Sequence, residues 1–211
     1  MPLCKSVTIN NDTRLLVWKI TESLEELSTG TGLKEVCAAR VQKMKSEQHR
    51  KGFMSVRKLM EEAGYTDFDL YYDTNGKPHL NDGNAISITH SYTFSAIIIS
   101  KKNSGIDMEM QRPKVVAIAD KFIEKEFTYL NSDDTQNYIR MLIAIWGVKE
   151  SVYKMLSKPG LSFKQNIEVL PFTIEDGKGS AVVDFEGHQS THPFYFEEVE
   201  GFTLVYCLEN L

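Results

Sequence analysis

The sequence predicts a mixed fold of helices and strands. Three observations support this: short β-branched and aromatic runs with turn-forming flanks, apolar residues at mixed three- and four-residue spacing over residues 31–63, and a longer stripe with helical spacing after Asp133. At 211 residues, of which 42% are hydrophobic, the chain can bury a substantial core as one large domain or two small lobes.

Composition and charge exclude several classes of protein. No apolar run, Ala96–Ile99 included, is long enough to cross a membrane, and the N-terminus lacks a signal-peptide pattern, so we expect a cytoplasmic protein without a membrane partner. Cys4, Cys37 and Cys207 share no spacing typical of a disulfide framework or a zinc site. A net charge of -5 argues against broad nucleic-acid binding, and no nucleic-acid partner is expected.

The first part of the chain predicts a strand followed by helices. The run Arg14–Ile20 has strand character, and a helical segment should follow it. Residues 31–63 predict two helices that end near Gly64. The next stretch, "DLYYDTNGKPHLNDG", contains "NG" and "DG" turn signals around Pro78, which predicts a loop.

Two strands and a hairpin are expected next. "AISIT" predicts one strand, and Phe94–Ser100 predicts a second that is apolar almost throughout and therefore buried on both faces. The linker "KKNSG" is typical of a turn that would join this strand to "IDMEM" as a hairpin.

The strand "IDMEM" carries two acidic residues. Side chains alternate along a strand, so Asp107 and Glu109 should share one face, while Ile106, Met108 and Met110 lie on the other. Two carboxylates this close raise each other's pKa unless a cation joins them. A solvated edge-strand face is the alternative interpretation of these residues alone.

A long helix is expected in "DDTQNYIRMLIAIWGVKESVYKML". Trp146, Glu150 and Lys154 follow at four-residue spacing and lie along one side of it, with Lys149 adjacent. A stabilising pair on an exposed helix and a core tryptophan would explain the same pattern. Gly147 disfavours that simpler interpretation, because glycine inside a helix costs about 1 kcal/mol relative to alanine and suggests close packing against the backbone.

Together these two segments resemble the paired signature of the 4'-phosphopantetheinyl transferases. That signature reads G-(I/V)-D-(I/V)-E and W-x-x-K-E-(S/A)-x-x-K, and "GIDME" and "WGVKESVYK" match it. Further segments similar to family patterns are "EQHRKGFMSVRKLM", "NGKPHL", "SITHSY", "KFIEKEFTYL" and "GLSF". The resemblance covers roughly residues 47–165.

The chain length resembles the long, surfactin-synthetase-activating type of this family. The resemblance implies an α+β pseudodimer of two similar lobes, residues 1–104 and residues 105–211, with the coenzyme A site in the cleft between them. The second lobe would carry the metal-binding strand and the catalytic helix. We expect a monomer, because one chain would already supply both lobes. Sequence similarity between the two halves is not visible.

The resemblance implies a holo-[acyl-carrier-protein] synthase type of reaction. The protein would transfer 4'-phosphopantetheine from coenzyme A to a serine of an apo acyl, peptidyl or aryl carrier protein and release adenosine 3',5'-bisphosphate. Magnesium, with manganese as an alternative, would be bound by Asp107, Glu109 and Glu150. Glu150 would deprotonate the serine either directly or through a metal-bound water. Lys154, with Lys149 as a weaker candidate, would neutralise charge on the phosphates. Asp107 would complete the catalytic set.

The resemblance also assigns residues around the nucleotide and the carrier protein. The residues that would bind coenzyme A are Arg50, Lys77, Pro78, Ser87, His90, Lys149 and Lys154. His90 and a basic side chain would meet the 3'-phosphate, while Lys77 and Pro78 would border the adenine. Four residues compete for the basic role, namely Lys34, Arg40, Lys43 and Lys45. Lys121, Lys125 and their apolar neighbours would receive the acidic helix of the carrier.

Two other functions remain open at this point. A metal-dependent hydrolase could use the same three carboxylates to cleave the pyrophosphate of coenzyme A with water in place of serine. Alternatively, the protein could bind coenzyme A or a carrier protein without turnover. Transfer of phosphopantetheine to a carrier protein would distinguish the transferase from both alternatives.

Overall fold

The computed structural model describes residues 2–209 and divides the chain into two compact units. The first unit ends at Lys102 and the second begins at Asn103. Each unit contains one antiparallel sheet together with helices, so the fold is α+β, as expected.

Within residues 2–102, the first unit contains six strands and three helices. Its strands are β1 (Leu3–Asn10), β2 (Thr13–Lys19), β3 (Leu70–Tyr72), β4 (Pro78–Leu80), β5 (Ala85–Ser91) and β6 (Phe94–Ser100). Its helices are α1 (Leu24–Ser28), α2 (Glu35–Lys43) and α3 (Glu47–Glu62), followed by a short 3-10 turn at Asp67–Asp69. The prediction of two helices within residues 31–63 is confirmed.

Helix α3 supplies much of the core of the first unit. Its apolar face, which includes Val56 and Leu59, packs with sheet residues such as Leu16 and Ile97 in one buried cluster. The strand order is β1-β2-β6-β5-β4-β3. Strand β6 therefore has a neighbour on each side, and all seven of its residues are buried, as predicted from their apolar character.

The part of the second unit that the structure describes, residues 103–209, contains five strands and two helices. Its strands are β7 (Ser104–Met110), β8 (Ile167–Val169), β9 (Lys178–Phe185), β10 (His188–Val199) and β11 (Phe202–Leu208). Its helices are α4 (Thr135–Leu156) and α5 (Phe163–Asn166), with 3-10 turns at Pro113–Lys121, Lys125–Thr128 and Ile174–Asp176. No helix within residues 2–209 is both long and apolar enough to cross a membrane.

The two units share one strand topology. In the first, β2 leads through helices to β3, and the sheet runs β2-β6-β5-β4-β3 with β1 added at the edge. In the second, β7 leads through helices to β8, and the sheet runs β7-β11-β10-β9-β8. Five strands therefore occur in the same order in each unit, an internal repeat that the sequence does not display.

Two local predictions are wrong. The segment "KKNSG" does not form a hairpin, because both edges of β6 are already paired with β2 and β5 and the chain passes instead into the second sheet, where β7 pairs with β11. The predicted loop before β5 also contains a short hairpin, in which Leu70 pairs with Leu80. Both leucines are buried, and that burial stabilises pairing that the turn signals alone did not indicate.

Candidate active site

Helix α4 packs directly on the second sheet at two glycines. A Cβ atom on Gly105 of β7 would lie only 1.8 Å from the carbonyl oxygen of Ser151, and one on Gly147 of α4 would lie 2.6 Å from Cγ2 of Val205. The Ser151 hydroxyl also donates a hydrogen bond to the carbonyl of Val205 at 3.2 Å. Close packing against Gly147 is thus confirmed, and these contacts fix which residues of α4 lie over β7.

An ion pair joins β7 to α4 beside these glycines. Nζ of Lys154 lies 2.7 Å from Oδ1 of Asp107 and donates a second hydrogen bond, of 3.1 Å, to the carbonyl of Ile106. The Asp107 side chain is almost fully buried, whereas that of Lys154 is 28% exposed. In this structure, therefore, a lysine ammonium group faces the acidic strand, and the side chain that carries it is partly exposed.

The carboxyl group of Glu150 lies one helical turn before Lys154. Burial is the largest cause that raises the pKa of Glu150 to about 7. The negative charges of Asp107 and Glu109 also raise it, and the Lys154 cation opposes them. A carboxyl group that titrates near neutral pH can accept a proton during a reaction and release it afterwards. The structure thus brings the charges of all three predicted carboxylates to bear on one another.

The chemistry of this group of residues suits a divalent cation. Asp107, Glu109 and Glu150 offer hard oxygen donors, which are the ligands that magnesium prefers. Within residues 2–209, no three His, Cys, Asp or Glu side chains are already arranged as a metal site. Magnesium commonly uses only one or two protein carboxylates and completes its shell with phosphate and water.

A cavity of about 240 Å³ adjoins the acidic strand. Glu109 and Arg112 lie in its wall with apolar residues that include Ile143 and Trp146. The Trp146 ring also makes edge contacts with Phe122 and Phe163, at centroid distances of 5.1 and 5.7 Å. Trp146 therefore packs with the core of this unit while one part of it borders the cavity.

Lys149 does not lie with the other predicted site residues. It is fully buried, its Nζ is 2.7 Å from Oε1 of Glu126, and it donates hydrogen bonds to the carbonyls of Phe163 and Ile167. These three contacts use all three protons of the ammonium group. Burial lowers the pKa of Lys149, although Glu126 opposes that shift. In this structure Lys149 therefore has an internal structural role, and its predicted contact with coenzyme A stays a prediction.

Glu126 is the residue that the sequence did not single out. Its carboxylate accepts hydrogen bonds from the backbone amides of Val169 and Glu124 as well as from Lys149. Glu126 therefore links the 3-10 turn Lys125–Thr128 to helix α4 and strand β8. A sequence signal did exist, because Lys149 lies between Val148 and Val152 on the buried side of α4, where a lysine needs an internal acidic partner.

In the first unit, His90 lies directly against helix α3. A Cβ on Gly52 would be 2.8 Å from Nδ1 of His90, so only glycine allows the ring to lie there. Arg50 is two residues earlier on α3, and its buried Nε has no hydrogen-bond partner among the residues that the structure describes. The β3–β4 turn, which contains Lys77, lies toward the same end of β5 as His90, because β4 and β5 are antiparallel.

Ser87 lies on the opposite face of the sheet from His90. Ile86 of β5 belongs to the core cluster formed with α3, and the His90 ring contacts α3, so both lie on the face toward that helix. Because side chains alternate along a strand, Ser87 lies on the other face. Ser87 is also only 3% exposed.

Among the basic residues that compete for the 3'-phosphate role, Lys34 donates a side-chain hydrogen bond to the carbonyl of Leu70.

Loss of the internal lysine should be costly to stability. We expect Lys149→Met to lower the free energy of unfolding by about 3–5 kcal/mol, because Glu126 would remain buried without its cation. Adding Glu126→Gln to that variant should recover part of the loss. Urea unfolding followed by circular dichroism would measure both changes.

The exposed pair Lys125–Glu168 provides a matched control. Its lysine is 69% exposed, so Lys125→Met should cost less than about 1 kcal/mol. A loss for Lys149→Met no larger than that of the control would contradict the structural role assigned to Lys149.

The second unit matches a known protein family. The family model described as the 4'-phosphopantetheinyl transferase superfamily matches residues 103–207, a stretch that contains β7, the two intervening 3-10 turns, α4 and the strands β8–β11 up to Cys207. No curated protein matches the sequence. The matched stretch includes Asp107, Glu109, Glu150 and Lys154, and the chain belongs to the 4'-phosphopantetheinyl transferase superfamily.

Proposed function

We propose that this protein transfers 4'-phosphopantetheine from coenzyme A to a serine hydroxyl of an apo carrier protein in a magnesium-dependent reaction. Membership of the superfamily indicates phosphopantetheinyl transfer as the class of reaction. The observation that supports these residues as the site is the pKa of Glu150, about 7, beside the Asp107–Lys154 ion pair. Perturbed acids next to a paired cation are typical of catalytic sites.

Asp107, Glu109 and Glu150 are the residues that would hold the metal. Magnesium, when bound, would neutralise pyrophosphate oxygens and stabilise the negative charge of the leaving group. The pKa of Glu150 is raised first by burial and then by the charges of Asp107 and Glu109, and this supports the assignment because a bound cation would offset that repulsion. Lys149 is not assigned to the phosphates in this proposal, since its ammonium group is bound internally to Glu126.

In the proposed reaction, the serine oxygen of the carrier attacks the phosphorus next to the pantetheine. The serine proton passes to the Glu150 carboxylate, the new O–P bond forms, and the bond to the departing adenosine 3',5'-bisphosphate breaks with its electrons. The Lys154 ammonium group would stabilise the charge that develops on phosphate oxygens. Its partial exposure and its bond to Asp107 are consistent with a cation held in place for this purpose.

The nucleotide end of coenzyme A would bind to the first unit. We assign the 3'-phosphate to His90 and Arg50, because the buried Nε of Arg50 has a hydrogen to donate and no acceptor within residues 2–209. Lys77 and Pro78 would border the adenine. Ser87 is a weaker candidate than His90, since it is buried on the other face of the sheet.

The carrier protein would dock on the 3-10 turns that follow β7. Val116 and Phe127 are exposed there, at 42% and 46%, and Lys121 is exposed nearby. Exposed apolar residues and lysines on these turns would complement the acidic helix of a carrier, which an overall acidic enzyme would otherwise repel. Lys125 is paired with Glu168, so its charge is partly neutralised.

Transfer can be tested by intact mass spectrometry of an apo carrier incubated with the protein, coenzyme A and magnesium. We expect the carrier to gain one phosphopantetheine, and EDTA or Asp107→Ala should abolish the gain. Glu150→Gln should lower kcat by about 100-fold or more while leaving the Kd for coenzyme A within about twofold, because the proton acceptor is lost.

Glu186→Gln is the control for this test, since Glu186 is an exposed carboxylate in the β9–β10 turn. Near-normal transfer by Asp107→Ala would disprove the metal assignment. Consumption of coenzyme A without modification of any carrier would favour the hydrolase, and neither consumption nor modification would favour simple binding.

The docking surface predicts a difference between two lysines. Lys121→Glu should raise the KM for the carrier about tenfold without changing the KM for coenzyme A, because it reverses a charge at the proposed interface. Lys125→Glu should have a smaller effect, since Glu168 already offsets that lysine. Steady-state kinetics with varied carrier would measure both, and equal KM values for Lys121→Glu and wild type would contradict the surface.

A further inference from the structure

The turn between β3 and β4 is organised by a single carboxylate. Oδ1 of Asp73 accepts hydrogen bonds from the backbone amides of Asn75 and Lys77, at 2.8 and 2.9 Å. The Asp73 backbone amide in turn donates to the carbonyl of Lys77 at 3.0 Å. Gly76, at φ +82°, supplies the left-handed conformation that the turn requires. Lys77 therefore has both backbone groups bonded to Asp73.

His79 holds this carboxylate from the far side of the turn. Its Nε2 lies 3.2 Å from Oδ2 of Asp73, so the two carboxylate oxygens have separate partners. The His79 ring is stacked on Tyr71, with centroids 5.3 Å apart and planes inclined by 21°. Tyr71 and His79 are directly opposite each other in the β3–β4 pairing. The imidazole is thus fixed by the strand pair, and it fixes Asp73.

These contacts form a clamp, which we define as Tyr71, His79 and Asp73. The hydrogen bond from His79 lowers the pKa of Asp73, and the bonds from the backbone amides lower it further. Charge-assisted bonds to backbone amides are stronger than neutral ones, so an ionised Asp73 keeps the turn ordered. An ordered turn loses less conformational entropy when it binds a ligand.

We infer that Asp73 and His79 are positioning residues that hold Lys77 and Pro78 in the conformation that binds the nucleotide end of coenzyme A. This inference rests on the proposed function for the role of Lys77 and Pro78. Neither Asp73 nor His79 contacts the reacting phosphate in this role, because both act through the backbone of the turn. They set the affinity for coenzyme A and leave the chemical step unchanged.

The test combines two readouts on the full chain. Asp73→Ala should weaken coenzyme A binding about tenfold by calorimetry and raise its KM equally, with kcat unchanged, because the ordering of the turn would be lost. The exchange protection of the Lys77 amide, measured by NMR, should fall in the same variant. Asp73→Asn should retain part of both the affinity and the protection, since its neutral side-chain oxygen still accepts from backbone amides but without the charge.

Asp82→Ala is the matched control. Asp82 accepts a hydrogen bond from the Asn84 amide at 3.0 Å in the turn at the other end of β4, so its loss tests general destabilisation of the hairpin. It should leave coenzyme A binding unchanged. Wild-type affinity in Asp73→Ala, or equal weakening in Asp82→Ala, would overturn the inference.

The two proposals fail in different ways. Wild-type protein that binds coenzyme A but modifies no carrier would disprove the proposed transfer and leave the clamp supported by the binding data. Active transfer with an unchanged KM for coenzyme A in both Asp73→Ala and His79→Ala would disprove the clamp alone.

Discussion

The contact between helix α4 and strand β7 is the constraint on which the candidate site depends. Gly105 lets the backbone of α4 approach the strand, and a side chain of any size there would meet the Ser151 carbonyl. That approach allows the Lys154–Asp107 ion pair and sets Glu150 within the field of two further carboxylates. The raised pKa of Glu150 therefore depends on this packing, which buries the carboxyl group, as well as on the neighbouring charges.

A second, internal ion pair supports the same helix. Lys149 and Glu150 are neighbours in sequence, yet Lys149 points into the core to Glu126, while Glu150 takes part in the acidic group. Adjacent helical residues diverge by about 100° around the axis, so one can serve stability and the next chemistry. A buried pair of this kind is costly to break. It also links the 3-10 turn Lys125–Thr128 to helix α4 and strand β8.

Local sequence pattern was enough to predict much of this structure. Helices α2, α3 and α4, the burial of β6 and the separation of Asp107 from Ile106 all follow from periodicity, because each depends on neighbours in the chain. The false hairpin after β6 shows the limit, since strand partners depend on which edges are already occupied by distant segments. For the same reason, the pairing of Lys149 with Glu126 required the structure. The shared strand order of the two units is likewise a property of topology that residue identities do not carry.

The most direct test of the site is the titration of the Glu150 carboxyl group by carbon-detected NMR in metal-free protein. We predict a midpoint near 7 in the wild type. In Asp107→Asn the midpoint should fall but stay above the ordinary value of 4.5, because burial would remain after the neighbouring charge is removed. A wild-type midpoint near 4.5 that Asp107→Asn does not change would contradict the proposed role of Glu150 as the proton acceptor.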